Sequence, residues 1–197
     1  MKIDSGILKP PFFHPHAPHY YSYGVIGFII GHEFTHSVSG HGLQFDERGF
    51  LRSWATATAT AAFNVKNAGI VEQYNNYTTP AGKVNGEETL SENIADNGGI
   101  RAAYEAYRRH LERLPYGEDV IKELENYSPD QLFFLSTAQA FCYKTRPGEE
   151  HIPLFTNRHS PPKWRINGMM SNMREFAAAF NCSTSARMNP RDKQSVW

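Results

Sequence analysis

The chain has 197 residues, 40% of them hydrophobic, and 20 Lys and Arg residues balance 20 Asp and Glu. That hydrophobic content is enough for a buried core and excludes a disordered chain, while the cancelled charge and lack of any long Lys/Arg run remove the electrostatic footprint of a nucleic-acid binder. No apolar run reaches the roughly 18 residues needed to span a bilayer, and Met1-Lys2-Ile3-Asp4-Ser5-Gly6 lacks the apolar stretch of a secretory signal.

In chain order, Gly6 to Tyr23 carries Pro10, Pro11, Pro15 and Pro18. Each fixes φ and lacks an amide donor, so an irregular lead-in is expected, with His14, His16 and His19 as exposed loop residues that share no face. Gly24 to Ser39 has the apolar content of a buried helix, Val25, Ile26, Phe28, Ile29 and Ile30 leading into His32, and Gly40 and Gly42 end it. Ser53 to about Tyr74 is the next helix, where Ala57, Ala59, Ala61 and Ala62 give high propensity and a small-residue face. Asn75 to Asn85 has turn chemistry.

Thr89-Leu90-Ser91-Glu92 resembles a capping box opening a helix that Ile94, Ile100, Ala103, Tyr104 and Tyr107 carry to about Arg113. Gly98-Gly99 inside it costs about 1 kcal/mol each relative to Ala, which predicts that another element packs tightly there. Ser128-Pro129-Asp130 starts a further helix with Leu132, Phe133, Leu135 and Phe141 apolar, and a last short one spans about Met173 to Phe180. No period repeats and no low-complexity linker divides the chain, so one compact unit over 1–197 is expected.

The chemistry concentrates in His32-Glu33-Phe34-Thr35-His36, two imidazoles four residues apart on one helix face with a carboxylate beside the first. Zinc hydrolysis uses that spacing, with three protein ligands and one position left for water. Glu92 is the best third ligand, because Asp96 lies one turn further along the same helix and can accept an imidazole N–H. Glu33 points near the metal without ligating it and fits a general base that later returns the proton to the leaving amine. His159 and Arg165 can supply the extra donors that a carbonyl oxygen needs as it gains charge. Cys142 and Cys182 are the two cysteines; bridging each other, staying reduced, or pairing with partners outside this chain all remain open. Asn76-Tyr77-Thr78, Asn126-Tyr127-Ser128 and Asn181-Cys182-Ser183 are glycan acceptors in any exported setting.

Gly31-His-Glu-Phe-Thr-His36, Ser91-Glu-Asn-Ile-Ala-Asp-Asn-Gly-Gly99, and His159-Ser-Pro161 with Arg165 together resemble the neprilysin and endothelin-converting-enzyme family of zinc metallopeptidases. The likeness extends from Gly6-Ile-Leu-Lys-Pro-Pro-Phe-Phe13 through Gln131-Leu-Phe-Phe134 and Met188-Asn-Pro190 to Val196-Trp197. It implies an α+β, mainly α-helical fold: the zincin-type, thermolysin-like catalytic half of the family domain, with the N-terminal part absent. It implies one zinc ion held by His32, His36 and Glu92, with Glu33 as the base, Asp96 behind a ligand, and His159 with Arg165 on the substrate.

Ile7, Phe12, Phe28, Ile29 and Phe141 match the family's apolar pocket for the residue after the scissile bond. Cleavage of oligopeptides on the amino side of hydrophobic residues is then expected, by an ectoenzyme secreted or anchored upstream of this region. Departures are also implied. The upstream Asn-Ala-x-Tyr edge strand that aligns substrate is missing, and Ser39 replaces an Asp that orients a ligand. Cys142 and Cys182 match positions whose partners lie in the absent part, and a further bridged pair is replaced at both ends, near Gly69 and Gln194. A rival expectation is a catalytically impaired, zinc-binding remnant acting as a secreted binding module or decoy.

Overall fold

The computed structural model describes residues 3–118, 120–146, 149, 154 and 156–196; Trp197 lies outside them. Helices dominate, in the order α1 (His19–Ser22), α2 (Phe28–Ser37), α3 (Ala57–Asn75), α4 (Leu90–Leu111), α5 (Pro129–Ala140), α6 (Pro162–Ser171) and α7 (Arg174–Ala179). Among the described residues the strand pairing outside isolated bridges is a short antiparallel hairpin, β1 (Thr78–Thr79) against β2 (Gly82–Lys83). It forms within the stretch whose composition indicates a turn.

The first helical segment begins earlier than its prolines indicate. Pro18 occupies the cap position of α1, where a missing amide does no harm, and the His19 amide donates to the Glu118 carboxylate at 2.9 Å. A wide turn, Tyr23–Gly27, then leads directly into α2. Helix α3 starts at Ala57, four residues later than the expected Ser53, because the Thr56 side chain accepts from the Ala59 amide and fixes the cap there. Helix α5 begins as its sequence predicts, with Ser128 and Gln131 forming a reciprocal capping box and Pro129 in the first turn.

The capping box expected at Thr89 does not form. The Thr89 hydroxyl donates to the Asn85 carbonyl and accepts from Asn93, and makes no cap bond, while Glu92 turns toward the histidines of α2. Helix α6 is the element that periodicity misses: Gly168 and scattered polar residues dilute its apolar face, and its signal is Pro162 in the first turn.

Two apolar clusters lie along α4. Ile100, Ala103, Tyr104 and Tyr107 pack with Phe28, with Phe133 and Phe134 of α5, and with Met169 and Met170 of α6. Nearer its start, Ile94 packs with Ile70 and Tyr74 of α3, Trp164 and Val196. From Asn93 through Ile100 every residue of α4 is buried. Gly69 faces the Gln194 side chain closely enough that any Cβ there would collide with it, so the positions flagged as a replaced bridge do meet in space. Cys142 and Cys182 are both free thiols.

The tight packing predicted at Gly98-Gly99 is the crossing of α2 over α4. A Cβ on Gly99 would stand 2.6 Å from the His32 amide nitrogen, one on Gly31 2.7 Å from the Gly99 carbonyl, and one on Gly98 2.6 Å from the Thr35 side chain. Two of these three contacts are with backbone and cannot yield by a rotamer change. Gly99→Ala is therefore expected to lower stability by about 1–3 kcal/mol in urea titration. Gly6→Ala, with nothing within 4 Å of the added methyl, should stay within about 0.5 kcal/mol.

Candidate metal centre and active site

Helical spacing puts His32 and His36 one turn apart on α2, their rings perpendicular and 4.7 Å apart between centroids. Glu92, in the first turn of α4, meets both. Its Oε2 lies 3.2 Å from His32 Nε2 and 3.3 Å from His36 Nε2, and the two Nε2 atoms are 3.1 Å apart. Around a tetrahedral zinc with bonds of about 2.0–2.1 Å, donor atoms stand about 3.3–3.4 Å from one another. The triangle is thus close to the size of one face of such a site.

A third imidazole, His159, brings its Nε2 to 3.0 Å from the same Glu92 oxygen. That oxygen is buried and receives no hydrogen bond; the contacts are short but not aligned as hydrogen bonds. Three ring nitrogens converging on an unsatisfied carboxylate oxygen call for a cation among them. His32, Glu92 and His159 also form a group whose donor atoms all lie within 4.8 Å of one another. The 3.1–3.3 Å triangle belongs to His32, His36 and Glu92, and that tighter set fits a small cation better.

Asp96 organises the centre from behind. Fully buried, it accepts from His32 Nδ1 at 2.9 Å and from Arg165 Nε and one terminal nitrogen, both at 2.7 Å. An ionised Asp96 fixes Nδ1 as the protonated ring nitrogen, which aims Nε2 of His32 at Glu92. Burial works against the Asp96 charge, yet Arg165 first and His32 second hold its pKa below the usual range. For His32 burial acts downward too, and the Asp96 and Glu92 carboxylates overcome it and push the pKa up to about 9. Burial likewise opposes the Glu92 charge, and His32 and His36 keep it ionised far below the usual carboxylate range. A cation arriving at His32 Nε2 displaces a proton.

The loop carrying His159 is tied to α4: Ser160 donates to the buried Asn93 side chain at 2.8 Å, and Asn93 donates on to Thr89 at 2.9 Å. Asn157 sets the His159 ring. Its Oδ1 accepts from the His159 amide at 3.0 Å, so the ring Nδ1, 2.9 Å from the same oxygen, must donate as well. Nε2 is left facing the centre. Burial lowers the His159 pKa, partly offset by Glu92. Asn157, Asn93 and Ser160 went unrecognised in the sequence; Ser160 and Asn93 sit inside the quoted motifs, whereas nothing local marks Asn157.

The remaining expected residues divide. Glu33 is exposed on the open side of α2. Arg165 commits two donors to Asp96 and lays its guanidinium over the Phe141 ring at 4.9 Å. Phe141 packs edge-on against Phe28 at 5.6 Å, and Ile29 joins that cluster. Ile7 and Phe12 lie half-buried in the lead-in, outside it. The Ser39 hydroxyl donates to the Thr35 carbonyl at 2.8 Å, so it is not committed to a ligand histidine. His14, His16 and His19 are all exposed, as expected, but His19 sits at the start of α1 rather than in a loop and pairs with Glu118 at 3.4 Å.

The model of peptidase family M13 matches residues 1–196. Endothelin-converting enzyme 1 of Rattus norvegicus is 40% identical over 193 residues, which cover 98% of this chain and 25% of that protein. Neprilysin-2 of Drosophila melanogaster is 40% identical over 199 residues, covering 100% of this chain and 26% of its own length. Zinc metalloprotease Zmp1 of Mycobacterium tuberculosis, solved with an inhibitor, superposes with a TM-score of 0.87 at 32% identity over 97% of this chain and 30% of that one. PepO of Lactobacillus rhamnosis superposes with a TM-score of 0.81 at 28% identity, over 96% of this chain and 28% of that one. The chain spans about a quarter of the length of the curated relatives it matches.

Removing the Asp96 carboxylate leaves Arg165, whose side chain is 15% exposed, as a buried unpaired charge. Asp96→Ala should therefore cost about 3–5 kcal/mol in urea titration of the metal-free chain. A pH series gives a second check. Because the His32 pKa is raised from 6.5 to about 9, its stabilising contribution is complete below pH 6.5 and disappears as pH rises through about 9. Urea midpoints of the metal-free chain should fall across that interval, and saturating zinc should flatten the fall.

Proposed function

The chain belongs to peptidase family M13, and from that membership we propose that it hydrolyses peptide bonds in oligopeptides, with zinc held by His32, His36 and Glu92. The observation that carries this reading is the 3.1–3.3 Å triangle of donor atoms on a carboxylate oxygen that nothing else satisfies. When bound there, zinc acidifies water and polarises a carbonyl. Everything else falls to the protein.

Glu33, exposed beside His32, takes a proton from the attacking water as its oxygen bonds to the carbonyl carbon. It passes that proton to the amide nitrogen as the C–N bond breaks, so the carboxylate is regenerated. The Arg165 terminal nitrogen outside the Asp96 fork donates to the carbonyl oxygen as it gains charge, and His159 donates beside it once Nε2 takes up a second ring proton. Asp96 keeps His32 in its ligating orientation, and Asn157 holds the His159 ring with Nε2 toward the centre. Preference for a hydrophobic residue after the cleaved bond has support from Phe28, Ile29 and Phe141, which cluster beside Arg165.

An extracellular or plasma-membrane setting has support from the three Asn-x-Ser/Thr triplets, whose Asn76, Asn126 and Asn181 are all exposed. No helix among the described residues is long and apolar enough to cross a membrane. The second reading, a zinc-binding module without turnover, draws on Ser39, whose hydroxyl is engaged with Thr35 rather than with a ligand.

Two variants separate these readings. Glu33→Gln should retain one zinc per chain while hydrolysis of a quenched-fluorescent peptide with Phe or Leu after the cleavage site falls at least about 100-fold. His36→Ala should lose the metal by elemental analysis. Full activity in Glu33→Gln removes the mechanism, and stoichiometric zinc with no hydrolysis in the unaltered chain selects the binding module.

A further inference from the structure

A cavity of about 320 Å³ opens beside His159, within the volume range of small-molecule and side-chain sites. Pro80 of the β1–β2 turn, Tyr143 and Leu154, together with Pro161 and Pro162 at the start of α6, supply its apolar walls. None of these belongs to the cluster around Phe28 and Phe141. The lining is rigid where it matters. Three of the five wall residues are prolines, the His159 loop is held to α4 through Ser160 and Asn93, and Trp164 Nε1 donates to the Thr78 carbonyl at 2.9 Å, joining the hairpin to α6.

His159 is shared by cavity and centre: one end of its ring lies 3.0 Å from Glu92, and the residue itself lines the cavity. An extended peptide with its carbonyl at His159 Nε2 has neighbouring side chains spaced about 3.3 Å along the chain and pointing alternately to opposite sides. Because His159 itself lines the cavity, one of them lies within reach of this space. We propose that the cavity is a second specificity subsite, taking an aromatic or branched aliphatic side chain of the peptide from a residue close to the attacked bond. It rests on the peptidase reading and adds a selectivity that the Phe28–Phe141 cluster does not provide.

Thr145 and Tyr143 line the cavity and lie outside the metal network and the buried core. The test uses the zinc-loaded Glu33→Gln chain, so that binding is read without turnover, and a set of hexapeptides in which Phe replaces Ala at one position at a time. At one position Phe should tighten binding about 10- to 100-fold in calorimetry. Thr145→Trp, which fills the space, should abolish that gain, and Tyr143→Ala, which removes a wall, should reduce it. Affinity for the all-Ala peptide and zinc content should be unchanged in both.

An aromatic gain that persists undiminished in both variants overturns the subsite while leaving the peptidase reading intact. So does the absence of any Phe preference beyond the single position served by Phe28 and Phe141, identified by its loss in Phe141→Ala. Failure of every peptide to bind the zinc-loaded chain overturns the peptidase reading, and the subsite with it. If Thr145→Trp does not fold, judged by circular dichroism and zinc content, Tyr143→Ala decides alone.

Discussion

Because Gly31 and Gly99 carry no side chains, α2 and α4 cross with backbone against backbone, and that approach brings the candidate metal-binding side chains together. Glu92 places one oxygen within 3.3 Å of two imidazoles on the helix that crosses α4 at those glycines. Glycine in a helix interior costs about 1 kcal/mol against alanine. Here that cost is offset by the convergence it permits, with Thr35 sealing the same crossing against Gly98.

Behind the crossing lies a column of buried charge. Asp96 is held by Arg165 on one side and holds His32 on the other, and Arg165 itself rests on Phe141. Buried ion pairs contribute little net stability relative to well-packed apolar groups, so their place in an otherwise apolar interior is better explained by orientation. The column fixes which His32 nitrogen faces Glu92. The start of α4 yields to the same demand: a cap bond at Thr89, worth about 1 kcal/mol, is forgone because Glu92 is directed to the histidines instead.

How legible these features were depended on the range of the interaction behind them. The helix through His32 and His36, the reciprocal cap at Ser128 and Gln131, and the close approach at Gly98-Gly99 follow from local pattern, and the structure contains all three. The capping box at Thr89 matched a local rule that a tertiary contact overrode. Helix α6 was missed because its packing against α4 is distributed over Trp164, Met169 and Met170 with Gly168 and Asn167 between them, which blurs the apolar period. Asn157 was invisible for a related reason: its importance comes from an imidazole two residues on, whose relevance is set by Glu92, sixty-seven residues before that imidazole.

By itself the sequence determined the chemical vocabulary of this protein: two imidazoles at helical spacing, a carboxylate beside them, a second pair of carboxylates one turn apart, and the family to which those words belong. Spacing along one helix is fixed by 3.6 residues per turn, so such facts survive without coordinates. Tertiary structure alone decided which groups meet. It brought His159 onto the Glu92 oxygen, set Asp96 between His32 and Arg165, placed Gly69 against Gln194, and opened a largely apolar cavity beside His159 from residues spread between Thr79 and Pro162. Each depends on distances between separate elements, which packing sets and no local pattern records.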